Sequence, residues 1–429
     1  MKGFWNLAST YSLTLYTLFL FVYNYEDVSA VLNTRLCRPE QRDALLQFKT
    51  EFEVLNSSLT YDCYINKTIV KSLGKTESWM NNSDCCNWEG ITCNAKSGEV
   101  IELNLGCSYL GGRFHSSSSL QNLHSLTTLV LSNNEFSGPI MSLLIFLPEL
   151  KILVLRSNAF HGPIHQASFR ELQIIDISHN HFNGALPSDF FVKWSAMSSL
   201  GTVYYDQHDQ LDDKYMGGSY YHDSMVLMNK GLEMEFVRIL KIYTALDFSG
   251  NKFEGGIPSS IGLLKELHVL NLSNNAFSGH IPSSMGNLTA LESLDVSQNQ
   301  LSREIPQELG ELSFLSYMNF SHNKLTGLVP GGTQFLRLNC TSFEDNPGLS
   351  GPSLEEICRD MHRPTPHETL ESVEEEEEEV LSWIAAVIGV IPGIAFGWVI
   401  GYILVSYKPE WFMNPFARNK RRISSTTTH

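Results

Sequence analysis

The chain has 429 residues, enough for two or three globular domains, so segments belonging to different compartments are expected. Its formal net charge is -16, with 46 acidic residues against 30 basic ones. This excess of acid gives no sign of nucleic-acid binding, which requires a basic surface.

Residues 1–30 have the order of a secretory signal peptide. Lys2 is followed by an apolar stretch from Tyr11 to Tyr23 and by the small-residue triplet Val28-Ser29-Ala30. The alternative is a first membrane span, but the apolar core holds only about a dozen residues, whereas a bilayer needs roughly 20. We therefore expect cleavage near Ala30, with the following residues outside the cell.

Residues 31–99 are predicted to form a cysteine-rich N-terminal cap. All eight cysteines of the chain lie between the signal peptide and a later apolar segment, at Cys37, Cys63, Cys85, Cys86, Cys93, Cys107, Cys340 and Cys358. In an oxidising compartment this pattern predicts disulfides at both ends of the ectodomain. Chain order favours the pairs Cys86–Cys93 and Cys340–Cys358. Zinc is the alternative, but paired ligand spacings and a histidine pair are missing.

Sequons for N-glycosylation point to the same compartment, because glycans are added to secreted chains. Each asparagine stands two residues before Ser or Thr with no Pro between them. The candidates are Asn56, Asn66, Asn81, Asn271, Asn287, Asn319 and Asn339.

The middle of the chain repeats with a period near 24 residues. About four copies are predicted over residues 100–187, including LTTLVLSNNEFSGPI from residue 126, and four over residues 243–330, including LHVLNLSNNAFSGHIP from residue 267. No single copy can bury its apolar face, but stacked copies can. The sequence therefore predicts an α/β-type repeat solenoid with a concave parallel β-sheet and disulfide-bonded caps.

Each position of the repeat has a structural role. Leu270 and Leu272 alternate with polar neighbours, which indicates a short strand with one buried face. Asn275 and its equivalents are expected to bond the backbone of neighbouring turns, and Phe277 to fill the core. Gly279 marks a bend.

Side chains between the strand leucines are predicted to point into solvent and to form a recognition surface, although any one of them could simply be solvated. Examples are Thr128, Val130, Lys151, Val154, Arg156, Ile174, Asp176, His179, Asp247, Asn271, Asp295, Tyr317, Asn319 and His322.

The repeat frame breaks over residues 188–242 and then resumes in phase, which indicates an inserted island. Its tyrosines, Tyr204, Tyr205, Tyr215, Tyr220 and Tyr221, and its Gly217-Gly218 pair suit an adaptable binding loop. A spacer without fixed structure is the alternative.

The C-terminal part is predicted to contain a cap at 331–360, an acidic spacer at 361–379 and a membrane helix at 380–405. The last segment has no charged residue and, at about 1.5 Å per residue, would be roughly 39 Å long. Glutamates precede it, and Lys408, Arg418, Lys420, Arg421 and Arg422 follow it. The bias of basic residues makes the tail at 406–429 cytoplasmic, which predicts a single-pass type I protein of the plasma membrane.

Small residues recur at every fourth position of this apolar segment, at Ala385, Gly389, Gly393, Gly397 and Gly401. Such a ridge lets another helix approach closely, although glycine is also common in membrane helices. Pro392 predicts a local kink.

The LxxLxxLxLxxNxFxGxIP frame resembles the extracellular leucine-rich repeat of plants. The lead-in from Cys37 to Lys49, the SDCCNWEGITC run at 83–93 and the Asn346-Pro347-Gly348-Leu349 segment between Cys340 and Cys358 are similar to plant receptor-like proteins. The resemblance covers essentially the whole chain. It departs in two ways: familiar members have far more repeats, and Arg303 replaces the repeat glycine, which puts that turn in doubt.

The resemblance implies a receptor without an enzyme of its own. Tyr221, Lys230 and Gly231 fit the family's Tyr-x8-Lys-Gly island pattern, which implies recruitment of a co-receptor kinase through the island and last repeats. The glycine ridge and the juxtamembrane segment imply docking of an adaptor receptor-like kinase. The ligand would be an extracellular peptide, protein or glycan.

Catalytic motifs and a cofactor site are not expected, because no Gly-rich phosphate loop, kinase catalytic run or nucleophile elbow occurs in the sequence. Three functions stay open: a ligand-sensing receptor in plant defence or development, an extracellular inhibitor of a microbial wall-degrading enzyme, and a shortened decoy or adaptor that occupies a receptor kinase.

Overall fold

The computed structural model describes residues 36–55, 63–65, 68–70, 74–164, 170–198, 225–236 and 239–359. The predicted signal peptide, acidic spacer, membrane helix and cytoplasmic tail lie outside these residues.

The short strands of successive repeats pair side by side and form the concave sheet of a solenoid, as predicted. Every pairing in this sheet is parallel except that of the first two strands, because each repeat returns the chain to the same end of the sheet. In the described residues its strands are β4 (Ile91–Cys93), β5 (Val100–Asn104), β7 (Thr128–Val130), β9 (Ile152–Val154), β11 (Ile174–Asp176), β15 (Ala245–Asp247), β17 (Val269–Asn271), β19 (Ser293–Asp295) and β21 (Tyr317–Asn319).

A second sheet, which the sequence frame does not predict, follows on the side of the xFxGxIP segments. From β8 onward each strand ends at or near a left-handed turn residue, such as Gly279 at φ 78°, a conformation that glycine adopts without strain. The strands of this sheet are β1 (Glu53–Val54), β6 (Leu110–Arg113), β8 (Glu135–Gly138), β10 (Ala159–Gly162), β12 (His181–Ala185), β16 (Lys252–Gly255), β18 (Ala276–Gly279), β20 (Gln300–Arg303), β22 (Lys324–Leu328) and β23 (Gly348–Ser350). A separate antiparallel pair consists of β2 (Cys63–Ile65) and β3 (Thr68–Val70).

The return segments contain mainly short 3-10 helices, which begin after the Ile-Pro pair in the C-terminal repeats. The described ones are Lys75–Ser78, Cys85–Asn87, Ser119–Asn122, Ile140–Ser142, Leu144–Phe146, Ser195–Met197, Ser259–Leu263, Ser283–Asn287, Gln307–Glu311, Phe335–Arg337 and Cys340–Phe343. Two α-helices are described, α1 (Pro39–Lys49) and α2 (Pro352–Ile357).

The core lies between the two sheets and confirms the expected roles of leucine and phenylalanine. Phe253 and Phe277 stack with ring centroids 6.0 Å apart, and Phe182 stacks on Phe253 at 6.4 Å. Strand leucines such as Leu270 and Leu294 are fully buried beside this stack. Stacking identical positions gives each repeat an apolar neighbour on both sides, which an isolated repeat would lack.

The repeat asparagines form the predicted hydrogen-bonded ladder. Asn275 Nδ2 donates to the carbonyl of Phe248 in the preceding repeat at 2.9 Å, while its Oδ1 accepts from the N–H of Phe253 at 3.0 Å. Asn346 of the C-terminal cap repeats this geometry against Phe320 and Leu325. The cap therefore continues the ladder beyond the last complete repeat.

The solenoid continues across the insertion without a gap. β11 pairs with β15 in register, Asp176 opposite Asp247, although about 70 residues separate them along the chain. Phe190, Phe191 and Trp194, which the broken frame assigns to the island, are buried in the solenoid core. These residues of the predicted island therefore belong to the solenoid.

Both ends of the solenoid are closed by caps that contain disulfides. The N-terminal cap has the pairs Cys37–Cys85 and Cys86–Cys93, with Trp79 stacked on Trp88 at 5.6 Å. The C-terminal cap has the pair Cys340–Cys358 and buries Phe335 and Phe343 against Phe320. These aromatic rings cover apolar faces that the terminal repeats would otherwise expose.

Candidate functional site

Two rows of side chains decorate the concave sheet, and the strand register defines them. The first residue of each paired triplet forms one row and the third forms the other, because the middle leucine, isoleucine or methionine points into the core. The first row reads Thr128, Ile152, Ile174, Ala245, Val269, Ser293 and Tyr317; the second reads Val130, Val154, Asp176, Asp247, Asn271, Asp295 and Asn319.

The N-terminal part of this face is buried, with apolar and polar side chains side by side, which corrects the prediction that these side chains point into solvent. Six of the predicted surface residues are buried: Val130 at 8% exposure, Val154 at 2%, Ile174 at 0%, Asp176 at 1%, Asp247 at 5% and Asn271 at 8%. The apolar members pack with Ile152, Ala245 and Val269 against Ile239 and Tyr243, at the C-terminal root of the island. Single-sequence periodicity could not identify this partner.

The remaining predicted surface residues are at least partly accessible. Lys151, His179 and His322 are exposed, and Thr128, Arg156, Asp295, Tyr317 and Asn319 are half-buried. His322 Nδ1 lies 2.6 Å from Asp345 Oδ2 at the C-terminal end of the face. The accessible part of the predicted recognition surface therefore lies mainly at the edges and in the C-terminal half.

Asp176 and Asp247 lie at paired positions of β11 and β15 and are both buried. Burial raises the pKa of Asp176, and burial together with the neighbouring Asp176 charge raises the pKa of Asp247 to about 7. Asp176 Oδ1 accepts from the Ser178 hydroxyl at 2.6 Å, while its Oδ2 has no hydrogen-bond partner within the described residues. These carboxyls hold protons far more readily than exposed aspartates.

Farther along the row, Asp295 accepts from two residues of the next strand. Tyr317 Oη lies 3.3 Å from Asp295 Oδ2, and Asn319 Nδ2 lies 3.4 Å from the same oxygen. Burial raises the pKa of Asp295 despite these bonds, and burial with the nearby Asp295 charge raises the pKa of Tyr317 to about 12. Tyr317 therefore stays neutral and can donate at any physiological pH.

An antiparallel hairpin of the island lies against this polar half. Its strands β13 (Met225–Asn229) and β14 (Leu232–Phe236) join at a turn formed by Lys230 and Gly231, both left-handed at φ 53° and 73°. The Lys230 N–H donates to Ser293 Oγ at 3.1 Å, and Lys230 Nζ lies 3.4 Å from Glu292 Oε2. Two of the three island-motif residues thus contact the repeats. Tyr221 lies outside the described residues.

Sequence reasoning missed Tyr243 at the root of the island and three repeat residues near the island, His268, Glu292 and Ser293. Tyr243 stacks near the ring of His268, with centroids 5.6 Å apart. Burial raises the pKa of Tyr243 and lowers that of His268, so both rings are neutral at physiological pH. The sequence does mark Tyr243 as unusual, because it occupies the repeat position that is Leu267 and Leu291 in the next two repeats.

The predicted sequons occupy different environments. Asn81, Asn287 and Asn339 are exposed, whereas Asn271 is buried, donates to Asp247 Oδ2 at 3.0 Å and accepts from Ser273 Oγ at 2.7 Å. Asn319 is half-buried and accepts from Ser321 Oγ at 2.9 Å. Asn56 and Asn66 lie outside the described residues. Glycosylation of each sequon stays a prediction.

Disulfides account for the sulfur cluster of the N-terminal cap. The Sγ atoms of Cys37, Cys85 and Cys86 lie within 4.8 Å of one another, a spacing that thiolates around a metal also adopt. Here Cys37 is bonded to Cys85, and Cys86 to Cys93, so their sulfurs are not thiolates. Cys107 is also disulfide-bonded. The pairs Cys86–Cys93 and Cys340–Cys358 match those favoured by chain order.

Within the described residues, no helix has both the length and the apolar character needed to cross a bilayer. The predicted span at 380–405 and its ridge of Ala385, Gly389, Gly393, Gly397 and Gly401 lie outside those residues.

Comparison with protein families places repeat matches on both sides of the island. The family described as "Leucine rich repeat N-terminal domain" matches residues 38–60 and 65–94. The family described as "Leucine Rich Repeat" matches residues 125–147, 171–192, 244–264, 266–288 and 290–312.

Comparison with solved structures finds low overall superposition. A plant ice-binding protein aligns at 20% identity and a TM-score of 0.42, covering 74% of this chain and 97% of that one. A Pollen Receptor Kinase 3 structure aligns at 22% identity and a TM-score of 0.36, covering 72% and 95%. The family assignment depends on sequence relatives instead.

Curated relatives from Arabidopsis thaliana are much more similar. Receptor-like protein 35 is 69% identical over 313 residues, which cover 72% of this chain but 30% of its own length. Receptor-like protein 43 is 41% identical over 719 aligned residues, covering 100% of both chains; these exceed the 429 residues here by 290, so gaps of at least that length fall in this chain. Given this identity over both whole lengths, the chain belongs to the plant leucine-rich-repeat receptor-like proteins.

Proposed function

We propose that this protein is a receptor of the plant plasma membrane that recognises an extracellular peptide, protein or glycan and signals through partner receptor kinases. The observation that carries the proposal is the concave face, where half-buried polar side chains such as Asp295, Tyr317 and Asn319 lie beside the island hairpin. A face of this kind offers hydrogen bonds that are partly shielded from water. The name of these relatives, receptor-like protein, supports the same function.

The proposed receptor signals through partner receptor kinases, which reach it through two regions of the chain. We assign adaptor-kinase docking to the membrane segment and its juxtamembrane residues. We assign co-receptor recruitment to the last repeats and the island. In a bilayer, packing of small residues drives helix association, which favours the glycine ridge as the adaptor site.

The test replaces Gly393 and Gly397 with Leu in the full-length tagged chain in plant membranes. Added bulk should block close helix approach without reducing hydrophobicity, so delivery to the membrane should persist while kinase capture falls roughly tenfold. The matched control places the same bulk off the ridge, with Ala395→Leu and Val399→Leu. Quantitative immunoprecipitation followed by identification of the captured receptor kinases measures the difference.

If both double variants capture the kinases as well as wild type does, the ridge is not the docking face. If a wall-degrading enzyme is recovered in place of kinases, the protein is an extracellular inhibitor and the receptor proposal fails.

A shortened decoy is the second candidate, because this chain lacks at least 290 positions present in its alignment with Receptor-like protein 43. Fewer repeats mean a smaller concave face. A decoy would capture the kinase through the ridge yet lower signalling by a longer family member when co-expressed. A receptor would leave that signal unchanged.

A further inference from the structure

The tip of the island hairpin fits a defined place on the concave face. The Lys230 N–H donates to the hydroxyl of Ser293, which is 4% exposed, and the Lys230 ammonium lies beside the Glu292 carboxylate. Gly231 lies so close to Tyr317 that an added Cβ would approach the phenol oxygen to 2.7 Å. Asn229, at the end of the preceding strand, is 8% exposed. The turn is therefore seated on two adjacent repeats.

The contacts of the turn with the repeats explain why positions 230 and 231 are Lys and Gly. Both positions are left-handed, which matches the twist of a two-residue hairpin and costs glycine nothing. Gly231 is required twice, once for its backbone conformation and once for its contact with Tyr317. Lys230 supplies the N–H and the charge that meet Ser293 and Glu292. The Lys-Gly pair is thus explained by contacts inside this chain.

We propose that the Lys230–Gly231 turn is an intramolecular latch that holds the hairpin of β13 and β14 against the concave face at Glu292, Ser293 and Tyr317. While it is closed, the turn covers Ser293 and part of Tyr317. The Lys-Gly pair then acts by positioning the hairpin and by covering these residues. Its relevance to ligand entry rests on the proposed receptor function, whereas the latch itself does not.

The contacts suit a latch that opens. The Lys230–Glu292 pair is about 40% exposed on both side chains, at 43% and 38%, so solvent weakens it. The hydrogen bond to Ser293 is better shielded and is the stronger attachment. The other end of the island is held more firmly, since Ile239 and Tyr243 pack into the concave apolar cluster. Opening therefore lifts the hairpin tip and leaves the root in place.

The test measures hydrogen exchange of the backbone amides in residues 225–236 of the full chain in detergent. Ser293→Ala removes the acceptor and should speed exchange of the Lys230 amide roughly five- to tenfold. Glu292→Lys repels Lys230 and should speed exchange across the whole turn. The charge-swapped double variant Lys230→Glu with Glu292→Lys should restore protection to within about twofold of wild type.

Trypsin supplies a second readout, because Lys230 is itself a cleavage site that the closed turn shields. Cleavage after Lys230 should accelerate in Ser293→Ala and stay at the wild-type rate in Glu254→Gln, an exposed acid on β16 used as the control. Exchange in β9 monitors the solenoid and should not change. If amide exchange in β9 also speeds up, the charge-swapped double variant distinguishes a local effect from a general loss of stability. Recovery of amide protection in the turn then supports the latch.

The latch is overturned if Ser293→Ala and Glu292→Lys leave both exchange and cleavage at wild-type rates, or if the charge swap fails to restore protection. Neither readout involves a ligand or a kinase. Failure of the glycine-ridge experiment would therefore leave this result standing, and the reverse also holds.

Discussion

Asn275 joins adjacent repeats through four hydrogen bonds, and its equivalents repeat the arrangement along the solenoid. Its Nδ2 donates to the carbonyls of Phe248, Leu272 and Ser273, and its Oδ1 accepts from the N–H of Phe253. These backbone groups lie at the tight corner after each strand, where the Phe248 and Leu272 carbonyls each accept from two ladder asparagines and the Ser273 carbonyl also accepts from the N–H of Gly250. A shorter side chain would leave the N–H of Phe253 without a partner.

Asn275→Ala should lower the free energy of unfolding by about 2 kcal/mol, because it leaves the N–H of Phe253 without its acceptor and removes one of two donors from the carbonyls of Phe248 and Leu272. Chemical denaturation of the secreted ectodomain, followed by circular dichroism, measures this. Lys252→Ala, at an exposed position of β16, is the control and should change stability by less than about 0.5 kcal/mol. If Asn275→Ala lowers the free energy of unfolding no more than Lys252→Ala does, water must satisfy the hydrogen bonds that Asn275 makes in the wild type.

Arg303 keeps the repeat turn despite lacking the glycine found in neighbouring repeats. Its φ is 68°, close to the 78° of Gly279 and the 85° of Gly327. The doubt raised by the sequence is thus resolved, because the stacked repeats on both sides force the same path. The cost remains at this one residue, since a side chain in the left-handed region is strained.

Arg303→Gly should therefore stabilise the protein by roughly 0.5–1 kcal/mol, the relief of strain being partly offset by the flexibility of glycine when unfolded. Ser302→Gly is the matched control, because Ser302 has an ordinary negative φ, and it should destabilise by a similar amount. Arg303→Ala should leave stability nearly unchanged. A gain from Arg303→Ala equal to that from glycine would instead implicate the arginine side chain.

At the scale of elements, the register of β11 against β15 brings two buried carboxyls together. The pKa of Asp247 is raised to about 7 from its ordinary 3.8, by burial first and by the Asp176 charge second. Between about pH 4 and pH 7 the folded state thus holds a proton that the unfolded chain has released. By linkage, stability rises as pH falls through this window and is lowest above it.

We expect the free energy of unfolding to increase by about 2 kcal/mol between pH 8 and pH 5, since one pKa unit corresponds to about 1.4 kcal/mol. Asp247→Asn should reduce this dependence, because only Asp176 of the pair still titrates. Asp176→Asn should shift the midpoint to lower pH by removing the neighbouring charge. Denaturation at matched ionic strength measures all three proteins. If the free energy of unfolding of Asp247→Asn depends on pH as steeply as that of wild type, Asp247 does not cause the pH dependence.

The contacts of the island could not be predicted from the local sequence pattern. Its insertion point was readable, because the repeat resumes in phase at residue 243. Its contacts were not: Ser293 and Glu292 are ordinary strand and loop residues of a later repeat, 63 and 62 positions from Lys230. Only folding brings them together, since the repeats between them bend the chain back to the same face.

At the scale of the whole molecule, the surfaces available to glycans differ from those available to partners. Asn287 lies exposed on a return segment, whereas Asn271 lies in the concave row with its amide committed to Asp247. A sugar on the Asn271 nitrogen has no space in the folded sheet. We expect glycans at Asn81, Asn287 and Asn339, and an unmodified Asn271.

Asn287→Gln should therefore increase electrophoretic mobility of the secreted protein by about one glycan, while Asn271→Gln should leave mobility unchanged and lower stability by about 1 kcal/mol. Site occupancy from mass spectrometry after enzymatic deglycosylation checks the same point directly. An occupied Asn271 in folded, secreted protein would contradict the hydrogen-bonded row described for the concave face.

The sequence by itself determined the repeat, its period, its leucine and phenylalanine core, its asparagine ladder and the cap cysteines. These features depend on contacts between equivalent positions of adjacent repeats, so a regular spacing along the chain is sufficient to reveal them. The concave position of the strands followed for the same reason.

Only the tertiary structure decided which part of the concave face is open. Val154 and Ile174 read as surface residues from strand alternation, but Ile239 and Tyr243 of the island root pack with them. The contacts of Lys230 and Gly231 with a later repeat were likewise decided by the return of the hairpin to the concave face. Contacts of this kind have no period, because the island occurs once, and their partners are fixed by the curvature of the stacked repeats.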